Sequence, residues 1–238
     1  MFCLVLLFEL SSCAVNTKSA EQTGFSMGSL VGIKLYGKNF EALENANLLA
    51  EVVKTDERIS KNYEGSDIYR VNSSGEHGET VSSETYDELR TVCDVYSDSH
   101  GKAAVLSGAL TELWGFDTDE FRLPSEDEIL SAKEKCGDDK LIFDDGKKVY
   151  IPDGAKLNLG SAGKGIALDE AVKRIDEINS QGGKITGAVI SVGGSVATYG
   201  LPKKVKLECR DTRPVQNGKR LFRGAVAYRC FYINLGRL

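Results

Sequence analysis

The stretch from Leu157 to Asp169, LNLGSAGKGIALD, is the most informative local pattern in this chain. A short apolar run ends in a glycine-rich segment, Gly160 to Gly165, and then passes into apolar residues at helical spacing. A glycine-rich loop before a helix presents backbone N–H groups and the positive end of the helix dipole, which together favour phosphate binding. Lys164 adds a cationic donor at the same point. A tight turn without a ligand is the alternative interpretation.

The glycine spacing excludes two common nucleotide-binding motifs. In a Walker A loop the glycines are farther apart and a Ser or Thr follows the lysine, whereas Gly165 follows Lys164 here. The pattern also differs from G-x-G-x-x-G, so a Rossmann site is not predicted. If the loop binds phosphate, it belongs to neither class.

Two further motifs contain residues that suit a bound ligand. An apolar run, Ala188 to Val192, ends in Gly193-Gly194-Ser195, and a glycine pair at a strand end lets a ligand approach the backbone closely. A β-bulge or hairpin turn without a ligand is the alternative. The single tryptophan, Trp114, lies in the segment Gly108 to Phe116. A lone tryptophan is usually a core anchor, but its flat ring also suits the wall of a heteroaromatic pocket.

The composition is that of a globular protein. Of the 238 residues, 41% are hydrophobic and 27% are charged, which excludes general disorder and a collagen-like architecture. The net charge of −5 argues against a protein that coats nucleic acid, and no nucleic-acid partner is predicted. With only two histidines, a His-rich metal site is disfavoured. Chemistry in this chain must rely on backbone amides, lysine, hydroxyls and carboxylates.

The N-terminal residues resemble an export signal. Met1 to Ser12 is strongly apolar but shorter than the roughly 20 residues that span a bilayer as a helix. Leu10-Ser11-Ser12-Cys13 resembles the box of a bacterial lipoprotein, in which the cysteine is acylated. We therefore predict a signal peptide at 1–12, lipidation at Cys13 and a polar tether at 13–23. This arrangement anchors the protein to the inner membrane, in the bacterial periplasm.

Two features count against a lipoprotein. No Lys or Arg precedes the apolar run, and Glu9 interrupts it. A start codon placed too far downstream would explain the missing basic region. A core strand at the N-terminus is the alternative.

Strand and helix signals alternate along the rest of the chain, which we treat as one domain at 24–238. The patterns predict a strand at Gly28 to Tyr36 and helices at Phe40 to Ile59, at Ser83 to Tyr96 and after Pro124. Asp144-Asp145-Gly146, between two apolar runs, predicts a β-hairpin. The predicted fold class is α+β, with mixed, largely antiparallel sheets flanked by helices.

Five segments, taken together, resemble one known family. They are Phe25 to Ser29, Ile59 through Asn72, Ser99 through Phe116, Leu159 through Asp169, and Val192 to Ser195. In this order they resemble the ApbE family, which comprises FAD:protein FMN transferases and related flavin-trafficking lipoproteins. Any one segment is a weak match, but five in order after a lipoprotein box make the resemblance specific.

The resemblance implies an enzyme with an ApbE-like fold that takes FAD as its substrate and uses Mg²⁺. Such an enzyme cleaves the FAD pyrophosphate. It either releases FMN and AMP or transfers FMN to a Ser or Thr hydroxyl of an acceptor flavoprotein subunit. This chemistry agrees with the loop, because a pyrophosphate needs N–H donors, a lysine and a metal to neutralise its charge.

The resemblance also implies roles for particular residues. Lys164 is the implied catalytic residue, and Ala162 would give its backbone carbonyl to the metal. The residues implied to contact FAD are Met27, Ser29, Asn62, Trp114, Gly160, Ser161, Gly163, Lys164, Asp169, Gly193 and Gly194.

The chain departs from the family at three internal positions. Asn62 stands where the family often has a tyrosine near the flavin, so we expect weaker retention of FAD and more turnover. Ala104 and Leu106 replace an aspartate and a threonine.

The end of the chain also departs from the family. The segment Lys206 to Pro214 still resembles a family strand, but agreement fades after Gly224 and the sequence ends at Leu238. Family members continue further and take their metal-ligating side chains from that part, so we expect the C-terminal part of the domain to be missing. A non-catalytic FAD-binding lipoprotein, or an inactive truncated remnant, is therefore the alternative to an enzyme. A lipid-anchored structural domain without a ligand is a third interpretation.

Overall fold

The computed structural model describes residues 17–116, 118 and 120–200, together with the backbone of 215–216 and 219–220. The predicted signal peptide, the lipidation site at Cys13 and the family-like segment from Lys206 to Pro214 lie outside the described residues and stay predictions. Among the described residues, no helix combines the length and apolar character needed to cross a bilayer.

Nine strands and seven α-helices alternate along the described part of the chain. The strands are β1 (Lys18–Ser26), β2 (Ser29–Gly37), β3 (Glu79–Thr80), β4 (Ile142–Phe143), β5 (Lys148–Tyr150), β6 (Ile185–Val192), β7 (Ser195–Tyr199), β8 (Val215–Gln216) and β9 (Lys219–Arg220). The helices are α1 (Phe40–Glu44), α2 (Leu48–Ile59), α3 (Asp67–Ser74), α4 (Ser83–Asp98), α5 (Gly108–Glu112), α6 (Glu126–Lys133) and α7 (Gly163–Ser180).

The larger sheet has the order β1-β2-β6-β7, and all of its strands are antiparallel. Side chains alternate along β2, so that Val31, Ile33 and Leu35 are buried on one face. Helices α2 and α7 cover that face and pack against each other. This arrangement confirms the predicted α+β class with largely antiparallel pairing.

A second core lies beside the first. It contains buried residues of α3, α4 and the small antiparallel sheet β3-β5-β4, among them Ile68, Leu89 and Val149. Ile59 at the end of α2 and Ile166 near the start of α7 also belong to this core. The other buried hydrophobic residues of these two helices pack in the first core. Helices α2 and α7 therefore contribute to both cores.

Several predicted elements are confirmed. The predicted strand at Gly28 to Tyr36 corresponds to β2, and the predicted hairpin corresponds to β4 paired with β5. Ser82 caps α4 through its side chain. Ser125 and Glu128 form a reciprocal capping box at the start of α6, where the sequence places a hydroxyl followed by acidic residues.

Two predictions need correction. The helix predicted at Phe40 to Ile59 is broken into α1 and α2, because Asn47 adopts a left-handed conformation with φ of 43°. Asparagine tolerates that conformation better than most residues, so the break follows local chemistry. The tether predicted to reach residue 23 is also too long, since Lys18 to Thr23 already pair with β2 inside strand β1.

Asp67 ties α3 to the start of α4 from a buried position. Its carboxylate accepts hydrogen bonds from the Ser82 backbone N–H at 3.1 Å and the Ser82 hydroxyl at 2.6 Å, and it pairs with Arg70. Burial alone would raise the pKa of Asp67. The hydrogen bonds from Ser82 and Thr85 and the charge of Arg70 outweigh that effect and hold the pKa below its usual value.

We expect Asp67→Ala to lower the free energy of unfolding by about 3 kcal/mol at pH 7, because it leaves buried donors unpaired. A carboxyl whose folded pKa is depressed stabilises the fold fully above its unfolded pKa of about 4, and that contribution is lost as the pH falls through the folded pKa. Urea unfolding of both proteins at pH 7 and below pH 4 measures this loss. The exposed Glu64→Ala is the control, and a deficit that does not shrink in acid would contradict the assignment.

Candidate functional site

Two hairpin turns lie side by side at one end of the larger sheet. Met27 and Gly28 form the two-residue turn between β1 and β2, and Gly193 and Gly194 form the turn between β6 and β7. Strand β2 starts beside the end of β6, with Val31 paired to Val192, so the pairing brings both turns to the same edge. The Gly193 N–H donates to the Leu30 carbonyl at 2.9 Å and locks the two turns together.

All four central residues of these turns have positive φ angles. The values are 51° for Met27, 65° for Gly28, 55° for Gly193 and 93° for Gly194. Such angles are typical of two-residue hairpin turns and suit glycine. The structure shows that the glycine pair forms a hairpin turn, and a ligand contact at this turn stays a prediction.

Lys164, in the first turn of α7, reaches this edge of the sheet. A Cβ atom placed on Gly193 would lie 2.9 Å from Lys164 Nζ and 2.5 Å from Ser29 Oγ. The absence of a side chain at Gly193 therefore creates the space in which the ammonium group and the hydroxyl meet. Three residues from three separate sequence motifs are brought together in this way.

The ammonium group of Lys164 carries no internal counter-charge. Across residues 17–116, 118 and 120–200, it takes part in no hydrogen bond or ion pair. Lys164 is nevertheless only partly exposed. A partly exposed ammonium group beside two backbone turns and the N-terminus of a helix favours an anion, so this point is the candidate site.

The glycine loop is less open than the sequence predicts. Leu159 to Ser161 form a single 3₁₀ turn that leads into α7. The Gly160 N–H donates to the Asn158 side chain at 3.0 Å, and the Ala162 N–H donates to the Leu159 carbonyl at 3.0 Å. These two amides are held by the chain itself. This is a correction to the expectation that the whole loop from Gly160 to Gly165 offers its N–H groups.

The remaining loop residues differ in how accessible they are to a ligand. Ser161 and Gly165 are exposed, and a Cβ on Gly165 would meet no atom within 4 Å. Gly163 is buried, and its Cα lies against Ile59 of α2. Ala162 is the N-cap of α7 and makes no side-chain cap, so the positive end of the helix dipole faces the loop.

Trp114 follows a segment that is hydrogen-bonded to the residue before the 3₁₀ turn of the loop. The segment that contains α5 contacts Asn158, the residue just before the 3₁₀ turn. The Asn158 N–H donates to the Val105 carbonyl at 2.8 Å, and the Asn158 side chain donates to Thr111 Oγ1 at 3.1 Å. Trp114 follows three residues after Thr111 and is half-buried, with its ring stacked on Phe116 at a centroid distance of 6.3 Å. A partly exposed stacked pair fits a pocket wall better than a core anchor.

Asp169 is not part of this cluster. It follows Lys164 by five residues on α7, which places the two side chains about 140° apart around the helix. Asp169 lies instead in a groove of about 620 Å³ between α4 and α7, together with Glu84, Glu88 and Glu170. Partial burial raises the pKa of its carboxyl, with Lys173 opposing and Glu170 adding to the shift. Such an acidic groove would repel a pyrophosphate.

Asn62 is exposed in the turn between α2 and α3, and its N–H donates to Ser60 Oγ at 3.3 Å. No contact joins it to the Lys164 cluster, so its role against a flavin stays a prediction. Its neighbour Tyr63 is also exposed.

The described residues do not build a metal site by themselves. Among them, no group of three His, Cys, Asp or Glu side chains lies close enough to hold an ion. The Ala162 carbonyl, which the resemblance assigns to the metal, accepts the Ile166 N–H at 3.1 Å and retains one free lone pair.

Three residues support the site although sequence reasoning gave them no role. Asp56 accepts hydrogen bonds from the Met27 turn, and Asn158 caps the glycine loop. Asn72 holds the segment before the loop: its side chain donates to the Leu157 carbonyl at 2.9 Å and accepts from the Leu157 N–H at 2.7 Å. The only available signal was Asn-x-Gly at Asn158, a pattern that forms side-chain-capped turns.

Solved structures with the same fold come from three bacteria. The ApbE protein of Thermotoga maritima is 25% identical, with a TM-score of 0.65, and covers 76% of this chain and 59% of its own. The flavinyl transferase ApbE of Pseudomonas stutzeri is 23% identical, with a TM-score of 0.66, covering 76% of this chain and 58% of its own. The flavin transferase ApbE of Vibrio cholerae is 23% identical, with a TM-score of 0.64, and covers 79% of this chain and 61% of its own.

The chain therefore spans about three fifths of the length of these structures. A comparison with curated proteins found no match. The sequence model of the ApbE family, however, matches residues 27–227, which is most of the chain. That span contains the Met27 turn, Lys164 and the Gly193 turn, and on this basis the chain belongs to the ApbE family.

Proposed function

We propose that this protein binds FAD through its pyrophosphate and, with Mg²⁺, transfers FMN to a Ser or Thr hydroxyl of an acceptor flavoprotein subunit or hydrolyses FAD to FMN and AMP. The observation that carries the proposal is the partly exposed ammonium group of Lys164, which has no hydrogen-bond or ion-pair partner among the described residues and lies near Ser29 and the Gly193 turn. Membership of the ApbE family and the similarity to two structures named as flavin transferases support it.

The site suits the charge of the reaction. In the transfer, the acceptor hydroxyl loses its proton, its oxygen bonds to the flavin-side phosphorus, and AMP leaves with the bridging oxygen. Negative charge on the phosphoryl oxygens must be neutralised during this exchange. The Lys164 ammonium and the N-terminus of α7 supply positive charge at one point.

Magnesium, when bound to FAD, supplies further charge neutralisation at the phosphates. Because the described residues contain no cluster of three metal-binding side chains, we assign no step to the metal. A flavin-binding protein that holds FAD without cleaving it is the alternative function. Chromatography for FMN and AMP after incubation with FAD and Mg²⁺ separates the two functions.

We also propose that the protein works at the periplasmic side of the inner membrane, anchored through acylated Cys13. The support is the lipoprotein-like sequence Leu10 to Cys13. The folded strand β1 begins only five residues later, at Lys18, so the tether is short.

We expect Lys164→Gln to lower kcat/KM for FAD cleavage by about a hundredfold, because a cation at the phosphates is lost. AMP and FMN released in the presence of Mg²⁺ are measured by chromatography. Lys173→Gln is the matched control, since Lys173 lies on the same helix but is exposed and paired with Glu170. Equal rates for the Lys164 variant and wild type would contradict the role of Lys164.

We expect Gly193→Ala to weaken FAD binding about tenfold more than Gly194→Ala. Both glycines have positive φ angles, so both substitutions introduce backbone strain. Only the methyl group at residue 193 would collide with Ser29 and approach Lys164, whereas at residue 194 it would meet nothing within 4 Å. Equilibrium dissociation constants from flavin fluorescence provide the comparison. Equal losses of affinity would show that Gly193 is only a turn residue.

A further inference from the structure

We infer that Asp56 is a positioning residue: it fixes the turn between β1 and β2 so that Ser29 faces Lys164 and the Gly193 turn. This inference rests on the proposed function, in which that meeting point binds the FAD pyrophosphate. Asp56 lies on α2, outside the two turns and the glycine loop, and touches the site only through the turn.

One carboxylate oxygen of Asp56 holds two groups of the turn. Oδ2 accepts from the Met27 backbone N–H at 2.6 Å and from the Ser26 hydroxyl at 2.9 Å. Hydrogen bonds to an ionised carboxylate are short and are stronger than neutral ones. These contacts cross about 30 residues of sequence, so they attach the turn to a helix and not merely to its own strand.

The turn needs such an external support. Met27 has a φ of 51°, a left-handed conformation that is unfavourable for a residue with a Cβ atom. A hydrogen bond from its N–H to the Asp56 carboxylate holds Met27 in that conformation. Met27 also packs between the two hydrophobic cores, so a change in the turn would move it away from both.

Ser29 depends on the same turn. Its hydroxyl donates at 3.3 Å to the carbonyl oxygens of Ser26 and Met27, the two residues that Asp56 holds. Ser29 Oγ is also the atom nearest to a Cβ placed on Gly193, ahead of Lys164 Nζ. Asp56 therefore reaches Ser29 through successive hydrogen bonds, and Ser29 Oγ and Lys164 Nζ both border the space left by the missing side chain at Gly193.

Helix α2 supports the opposite side of the site as well. Ile59, one turn after Asp56, lies against Gly163, the residue just before Lys164. A single helix thus contacts both the Met27 turn and the start of α7. This common support makes the relative position of Ser29 and Lys164 sensitive to the Asp56 hydrogen bonds.

The test compares Asp56→Ala, Asp56→Asn and Ser26→Ala, with Glu57→Gln as the matched control because Glu57 is the exposed neighbour on α2. We expect Asp56→Ala to raise KM for FAD about tenfold, with kcat changed much less, since the turn is displaced but Lys164 remains. Asp56→Asn retains a carbonyl acceptor for the Met27 N–H and should restore most of the affinity. Ser26→Ala removes one of the two hydrogen bonds and should have an intermediate KM.

Two results would overturn the inference. If Asp56→Asn is as defective as Asp56→Ala, the charge of Asp56 and not its hydrogen bonds is required. If Asp56→Ala lowers the melting temperature but leaves KM at the wild-type value, Asp56 serves stability alone. If Asp56→Ala does not fold, the KM values of Asp56→Asn and Ser26→Ala test the inference. An unchanged KM in Ser26→Ala would then contradict it.

Amide hydrogen exchange at Met27 separates this inference from the proposed function, because it needs no ligand. We expect exchange at Met27 to be about tenfold faster in Asp56→Ala than in wild type and unchanged in Glu57→Gln. Wild-type protein that neither binds nor cleaves FAD, together with faster exchange in Asp56→Ala, would refute the proposed function while confirming that Asp56 holds the turn. Unchanged exchange would refute the role of Asp56 whatever the activity.

Discussion

An ammonium group beside two backbone turns is the feature on which the proposed site depends. Lys164 projects from the first turn of α7 into a space that exists because Gly193 has no side chain. Among the described residues, Lys164 makes no ion pair, whereas Lys34 and Lys173 each pair with a glutamate. The partly exposed ammonium group is therefore available to the multiply charged anion that we propose.

The antiparallel sheet determines where the proposed anion site lies. Pairing of β2 with β6 places the Met27 turn beside the Gly193 turn, and the hydrogen bond from the Gly193 N–H to the Leu30 carbonyl fixes their separation. Helix α7 then delivers Lys164 to the same edge, with α2 packed against it. The site thus consists of backbone turns held by regular elements, which is a rigid arrangement for recognising phosphate.

Sequence patterns predicted the parts of the fold that local chemistry controls. The helix after Pro124 and the hairpin at Asp144-Asp145-Gly146 both followed from residue types at fixed spacings. The glycine loop and the Gly193 pair were identified separately. Their meeting at Lys164 was not predictable without the resemblance, because it depends on the register of β2 against β6.

The supporting contacts were harder to foresee. Asp56 and Asn72 act across about 30 and 85 residues of sequence, and nothing in the neighbouring residues marks them. The inward hydrogen bonds of Gly160 and Ala162 likewise depend on the 3₁₀ turn, which the glycine pattern does not specify. Helical periodicity alone places the side chains of Asp169 and Lys164 on different sides of α7. The family resemblance nevertheless implied that both residues contact FAD.

The most direct measurement compares the binding of FAD and of riboflavin, which lacks the pyrophosphate, to wild-type protein and to Lys164→Gln. If Lys164 binds the pyrophosphate, wild type prefers FAD by at least about tenfold, and the substitution removes most of that preference while leaving riboflavin affinity unchanged. Equal affinity of wild type for both flavins, or a preference that survives the substitution, would show that the pyrophosphate binds elsewhere or not at all.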